Sequence, residues 1–246
     1  MVEKVYPSWN FELKEKKEKA RDTFAFYFKR PEGFVFKAGQ NIRLFFDDLP
    51  EGSRRRTFTI ASAPHEEDIM IVMRMRGSEW KKKIASLSLG EFIRAEGPTG
   101  EHFVLHEDQN IPAVFIAGGV GIAPFVSIFS DIARRELGYT ITLFYSNKTK
   151  EDAPFLDSLA KYAVGNKNLH MICTLTRSSV SEDEGPPLIW ESGRINAAMI
   201  RKYIPDITIP LYYVVGTPMM VSDMRTVILG MGVPDTRIMT KEFKGY

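Results

Sequence analysis

At 246 residues the chain is long enough for one large domain or two modest ones, each with its own core. Its 33 Lys and Arg against 31 Asp and Glu leave no strong nucleic-acid footprint, and no apolar run approaches the roughly 18–20 residues a membrane span needs. Cys173 is the one cysteine, which excludes an intrachain disulfide, a cysteine-based zinc site and a four-thiolate iron–sulfur cluster held by this chain alone.

His65, His102, His106 and His170 show no metal-ligand spacing, so the chemistry expected here is that of a bound organic cofactor. The start, Met1 to Pro7, lacks the apolar core of a secretion signal, and a soluble cytoplasmic protein is expected. Lys14–Lys19, where lysine alternates with glutamate, is expected to be a solvated turn. Short apolar runs follow at Phe24–Lys29, Asn41–Phe46, Arg56–Ala61, Ile69–Met75 and Phe92–Ala95, separated by turn signals such as Pro31–Gly33 and Asp47–Gly52. This rhythm predicts a small antiparallel β-barrel over residues 1–108, interrupted by one helix from Ser78 to about Leu87. Glu107–Asn110, followed by Pro112, is the expected joint.

Beyond it the chain alternates strand and helix: Ala113–Ala117, Pro124–Leu137, Thr140–Tyr145, Ala153–Val164, Leu169–Leu175, Asn196–Tyr203, Leu211–Val215 and Pro218–Met231. Alternation of this kind predicts a second, α/β domain with a parallel sheet over residues 109–246. Ser178–Pro187, rich in Ser, Glu and Pro, is expected to be an exposed loop, and Cys173 a small buried hydrophobe.

Two stretches suggest chemistry. Gly118–Pro124 breaks a buried strand into glycines and then opens a helix whose apolar stripe is Phe125, Ile128, Phe129 and Ile132. Such a turn lets backbone N–H groups and the positive helix end approach a pyrophosphate, and Pro124 suits the helix's first turn. It also occurs as a tight connection with no ligand. On the strand Arg56-Thr57-Phe58-Thr59, Arg56 and Phe58 share one face and Thr59 points to the other. The set is either a solvated edge with Phe58 in the core, or a guanidinium for a phosphate beside an aromatic plate and a hydroxyl, which would hold a flavin.

With these residues the sequence resembles the ferredoxin–NADP reductase family, a flavin-binding barrel followed by a Rossmann-like nicotinamide-binding domain, and the match runs over nearly the whole chain in the family's order. Arg56, Phe58 and Thr59 match its flavin motif. Ile71–Arg74, with Met73 and Arg74 as candidate contacts, resembles the strand beneath the flavin, and Gly77 and Ser78 the helix start that takes the diphosphate. Gly97–Gly100 resembles the turn that ends the barrel. Gly119, Gly121, Ile122 and Pro124 match the nicotinamide-nucleotide motif, Gly216–Met220 its second turn with Gly216 and Met220 as contacts, and Phe243–Tyr246 the aromatic terminus of several relatives.

The resemblance implies an NAD(P)H-dependent flavin oxidoreductase that binds FAD, with FMN the runner-up, and passes hydride from NADPH or NADH to the flavin. It implies Arg56 on the flavin phosphate, Phe58 against one ring face, Thr59 near the nitrogen that receives the hydride, and Tyr246 over the other face. A frayed last residue is the alternative for Tyr246. Ser146, Lys148 and Arg177 fall where the adenosine ribose of the nicotinamide cofactor lies, and the lack of a carboxylate there leans toward NADP. Val215 stands where many relatives have a cysteine, so no catalytic thiol is carried over, and Glu101-His102-Phe103 departs from the usual spacing of a phenylalanine after Gly100. Basic clusters at Arg54–Arg55 and Lys81–Lys83 suit an acidic electron carrier, a ferredoxin or flavodoxin, or serve only as solvated charge. A subunit of a larger redox complex and a regulatory nucleotide-binding module without turnover remain alternatives.

Overall fold

A computed structural model describes residues 5–100, 103–105, 111–178 and 187–243. The chain divides into two compact units: one runs to Val104 and takes in Ala123–Asp131, and the other holds Leu105–Ile122 and the chain from Ile132 onward.

The first unit is an antiparallel, barrel-like sheet of six strands, β1 (Ser8–Ala20), β2 (Thr23–Lys29), β3 (Asn41–Phe45), β4 (Arg55–Thr59), β5 (Asp68–Arg74) and β6 (Phe92–Thr99). Their order is β4-β3-β6-β1-β2-β5. Strict alternation puts Phe11 and Leu13, Phe26 and Phe28, Ile42 and Leu44, Ile69, Ile71 and Met73, and Ile93 and Ala95 into one core. Helix α1 (Glu79–Ser86) follows β5 and buries Trp80 and Ile84 against that core.

The expected turn at Lys14–Lys19 is instead the second half of β1. There Lys16, Lys17 and Glu18 pair with Phe26, Ala25 and Phe24 of β2. Backbone ladders need no apolar side chains, and these charges find partners across the sheet. Lys14 Nζ lies 3.0 Å from Asp68, and Lys19 sits over the Tyr27 ring at 5.5 Å. Lys16 Nζ donates to the carbonyls of Ala85 (2.6 Å) and Leu87 at the carboxyl end of α1.

The second unit is a parallel sheet with crossover helices: β7 (Ala113–Gly118), α2 (Ala123–Arg135), β8 (Ile141–Asn147), α3 (Leu156–Gly165), β9 (Leu169–Leu175), β10 (Ile189–Ser192), α4 (Ala197–Tyr203), β11 (Leu211–Gly216), α5 (Pro218–Gly230) and β12 (Ile238–Glu242). The first turns of α2 cluster with the other unit, where Ser127 Oγ donates to the Ser62 carbonyl at 2.6 Å. Helix α3 starts three residues later than expected, because Pro154 and the left-handed Phe155 (φ 67°) precede it. Strands β10 and β12 were not expected. Both are short edge strands, four and five residues long, without a continuous apolar run.

The strand order β10-β9-β8-β7-β11-β12 reverses direction at β7, with the later strands β8 to β10 on one side and β11 and β12 on the other. Such a switch point opens a crevice at the carboxyl ends of the two diverging strands, where open α/β sheets take their ligands. Residues Val114, Ile116, Phe144, Ile172, Tyr212 and Val214 form the core on the α4 and α5 face. Among the described residues no helix is long and apolar enough to cross a membrane. The expected joint at Glu107–Asn110, most of the Ser178–Pro187 loop and Lys244–Tyr246 lie outside the described residues.

Candidate functional site

In the first unit the candidate residues gather around β4 and the start of α1. Ser78 caps α1, its hydroxyl accepting from the Lys81 N–H at 3.2 Å, and Gly77 before it takes φ +62°. Burial holds the Lys81 ammonium below its ordinary range, and the neighbouring guanidiniums of Arg56 and Arg76 push it down further. Three cations therefore meet at one helix N-terminus. Arg76 has a carboxylate of Asp22 at 3.7 Å, with both side chains about half exposed, so solvent weakens that pair. A diphosphate fits the donor set: it would relieve the mutual repulsion and accept from the first-turn N–H groups.

Phe58 is half-buried, with its ring centroid 5.1 Å from that of the buried Trp80 at a 37° tilt, and Trp80 is held in turn by Nε1–H donation to the Arg54 carbonyl at 3.1 Å. The plate is thus propped from behind. Thr59 is 4% exposed, and its hydroxyl donates to Asn41 Oδ1 at 3.0 Å, which commits the proton and leaves the oxygen's lone pairs as acceptors. Met73 lies in the barrel core opposite Phe24, so its side chain packs inward, while Arg74 at the end of β5 is half-buried. Asn41 and Arg76 were missed from sequence. Asn41 meets Thr59 only through the β3–β4 register.

In the second unit the glycine turn sits at the switch point, as a single 3-10 turn from Gly119 to Ile122 that leads into α2. Gly119 takes φ +54° with open space where a side chain would project. Gly121 is different, because a Cβ there would lie 2.6 Å from the Val215 carbonyl oxygen, so this glycine lets the turn lie against the end of β11. Ile122 and Pro124 are buried and act through the backbone they position. The Met220 thioether fills the hollow beside Gly118 and Gly216, and Thr217 caps α5 by accepting from the Met220 N–H at 3.3 Å.

At the carboxyl ends of β8 and β9, the backbone ladder continues past both strands: the N–H groups of Thr176 and Arg177 donate to the carbonyls of Asn147 and Lys148, each at 2.9 Å. That pairing puts Lys148 and Arg177, far apart in sequence and both exposed, side by side next to the half-buried Ser146. Asn147 Oδ1 and Thr174 Oγ1 are buried there without a hydrogen-bond partner. Orphaned polar atoms beside two cations, at the switch-point end of the sheet, fit the sugar and phosphates of a nicotinamide nucleotide. Tyr246 lies outside the described residues.

Residues 115–226 match the oxidoreductase NAD-binding domain family. Ferredoxin–NADP reductase B of Sorangium cellulosum is 26% identical over 231 residues, covering 88% of this chain and 89% of that protein. Reductase component 1 of terephthalate 1,2-dioxygenase from a Comamonas species is 26% identical over 201 residues, 80% of this chain but 56% of its own length, so this chain spans little more than half of that relative. Among solved structures, a ferredoxin NADP+ reductase from Neisseria gonorrhoeae with bound FAD and NADP superposes with a TM-score of 0.77 at 23% identity, over 96% of this chain and 98% of that one. The cytochrome b5 reductase domain of Ulva prolifera nitrate reductase gives 0.78 at 18% identity, over 96% and 97%. The second unit thus matches an oxidoreductase NAD-binding domain, and the two units together are similar in sequence to a ferredoxin–NADP reductase and in fold to a ferredoxin NADP+ reductase with bound FAD and NADP.

Proposed function

We propose that this chain takes hydride from NAD(P)H onto a bound FAD, with FMN the less favoured flavin, and hands the electrons to a separate acceptor. The observation that carries the reading is the meeting of Arg56, Arg76 and Lys81 at the capped start of α1, with Phe58 and Thr59 on the same strand as Arg56. A bound flavin supplies the redox chemistry, taking up a hydride and releasing electrons singly or in pairs. The chain's own residues bind and orient. Arg56 and the α1 N–H groups hold phosphate oxygens, Phe58 covers one ring face, and Thr59 presents an acceptor oxygen to the reacting edge. Tyr246 covers the other face until the nicotinamide arrives; removing Lys244–Tyr246 then changes nicotinamide affinity or hydride rate, and unchanged kinetics exclude that role.

The side-by-side Lys148 and Arg177, with no carboxylate beside them in Ser146–Lys148 or Thr176–Arg177, favour NADPH over NADH. Arg177→Ala is expected to weaken NADPH far more than NADH, and an equal loss for both refutes the assignment.

Of the basic residues that would face an acidic carrier such as a ferredoxin or flavodoxin, Lys83 is paired with Asp48 and Arg54 Nε donates to the Leu49 carbonyl at 2.7 Å. Arg55 and Lys82 would then contribute to steering, with a salt-sensitive rate as the sign. A second reading, a subunit that feeds a larger redox complex, is favoured by the relatives named as reductase components. Co-purification with a partner would decide for it.

The central experiment is a visible spectrum of the purified protein without air, before and after one equivalent of NADPH and then of NADH. A flavin band that bleaches supports the reading. A flavin band that persists with both nucleotides moves the regulatory alternative ahead.

A further inference from the structure

Tyr145 has no part in the scheme above. It lies near the end of β8 with its side chain fully buried, and its hydroxyl is 3.1 Å from the Gly119 carbonyl and 3.1 Å from the Pro154 carbonyl. A phenol has one proton to give, so two carbonyls from two different loops converge on a single donor. A buried hydroxyl costs stability unless it is hydrogen-bonded, and Phe would fill the same space with no such debt. The polar atom therefore matters for what it holds.

On one side it holds the peptide that follows Gly119. No neighbouring group lies within 4 Å of where a Gly119 side chain would project, and the residue sits in the left-handed region that glycine adopts freely. A trans peptide is planar, with C=O and N–H pointing opposite ways. With the Gly119 carbonyl held by the phenol, the Val120 N–H of the same peptide points away from Tyr145. On the other side the phenol holds Pro154, the end of a short loop closed by donation of the Thr149 hydroxyl to Asp152 (3.2 Å) and of the Ala153 N–H to the Lys150 carbonyl (3.0 Å). This loop begins directly after Lys148.

We propose that Tyr145 is a positioning residue for the nicotinamide nucleotide: its buried hydroxyl orients the Gly119–Val120 peptide toward the pyrophosphate and keeps that turn in register with the loop that follows Lys148. The proposal rests on the assignment of the glycine turn to the pyrophosphate. Because the pyrophosphate is common to both nucleotides, the tether serves NADP and NAD alike, unlike Arg177.

Tyr145→Phe keeps the ring and removes the tether. Binding of NADP+ and NAD+ to the oxidised protein is measured by calorimetry, beside steady-state turnover with ferricyanide as acceptor. The expected result is a loss of about tenfold in affinity for both nucleotides by the same factor, on the scale of one hydrogen bond, with KM raised and kcat unchanged. If the wild-type protein binds neither nucleotide, the pyrophosphate assignment falls and the proposal with it. If the wild type binds both and Tyr145→Phe binds them equally well, the assignment stands and the positioning role is overturned. Should Tyr145→Phe fail to fold, amide hydrogen exchange on the wild type decides: slowing of the Val120 N–H by saturating NAD+ supports the proposal, and no change overturns it.

Discussion

Gly121 offers the sharpest test of how the turns after β7 and β11 are built. A methyl group added there would meet the Val215 carbonyl oxygen at 2.6 Å, the Val215 carbonyl carbon at 3.0 Å and the Gly216 Cα at 3.3 Å. All three are backbone atoms, so no flexible side chain can swing aside, and either the turn or the end of β11 must move. Overpacking of this kind costs about 1–3 kcal/mol, offset by a few tenths because alanine restricts the unfolded chain. With about 2 kcal/mol remaining, Gly121→Ala should melt roughly 4–8 °C below the wild type. Gly119→Ala is the control, since its methyl would meet nothing within 4 Å and only the left-handed backbone at φ +54° opposes it, a cost of about 1 kcal/mol. The assay is thermal melting of both variants, followed by NAD(P)+ binding to each. Gly121→Ala should lose both stability and nucleotide affinity, because the displaced segment joins the turn after β7 to the turn after β11. If Gly121→Ala melts with the wild type, or above Gly119→Ala, then the turn does not lie against β11 and the reasoning fails.

Three further outcomes follow from other parts of the fold. Lys16→Met removes the donor to the Ala85 and Leu87 carbonyls at the end of α1 and should cost about 1 kcal/mol, roughly 2–4 °C in melting temperature; no loss would mean that β1 does not run past α1 as described. Thr59→Val leaves Asn41 Oδ1 without its donor and should cost about 1–2 kcal/mol and slow flavin reduction by NADPH, while Thr59→Ser keeps both; equal behaviour of the two variants would exclude a part for the hydroxyl. Burial pushes the Lys241 ammonium down to about 7 although its side chain keeps some exposure, whereas the unfolded chain holds that proton up to its usual 10.5. Between those values the unfolded state binds more protons, so stability rises with pH across that window, and the destabilisation is greatest below it. Lys241→Met should therefore stabilise the protein at pH 6, by on the order of 2 kcal/mol once partial exposure is discounted, and by less at pH 9; a gain equal at both pH values would show that the ammonium is not suppressed.

The parts legible in the sequence are those in which neighbours along the chain do the work. The period-two runs of the barrel and the apolar stripe of α2 announce which face is buried, and both stand where the pattern puts them. The Ser78 cap and the Arg56-Thr57-Phe58-Thr59 strand are contiguous, so their grouping can be read before any fold is known. Lys14–Lys19 shows the charge alternation of a solvated turn, while the ladder to β2 and the carbonyls at the end of α1 supply partners that no local pattern shows. Strands β10 and β12 are too short and too exposed to carry a signal of their own, and exist because β9 and β11 offer them an edge. The pairing of Lys148 with Arg177, the Thr59–Asn41 bond and the Tyr145 tether all depend on register between strands or on a loop closing back, which a linear pattern does not encode.

The glycine turn shows why its motif is ambiguous when read alone. Its glycines answer to different constraints: Gly121 is required by the backbone of β11, whereas Gly119 faces open space and owes its place to a left-handed peptide that a buried phenol turns inward. Only the second constraint bears on how the Gly119–Val120 peptide is oriented. A turn with the first alone would show the same glycine spacing and bind nothing, so the letters Gly119-Val120-Gly121 fit both a ligand-free connection and a phosphate seat. What separates the two is Tyr145, a full strand away, together with the cations that the β8–β9 ladder sets at the neighbouring strand ends. The nucleotide site proposed for this chain therefore draws on three strand ends meeting at the switch point, and substitutions at Tyr145 or Arg177 should test it more directly than substitutions within the glycine motif, where loss of binding and loss of packing arrive together.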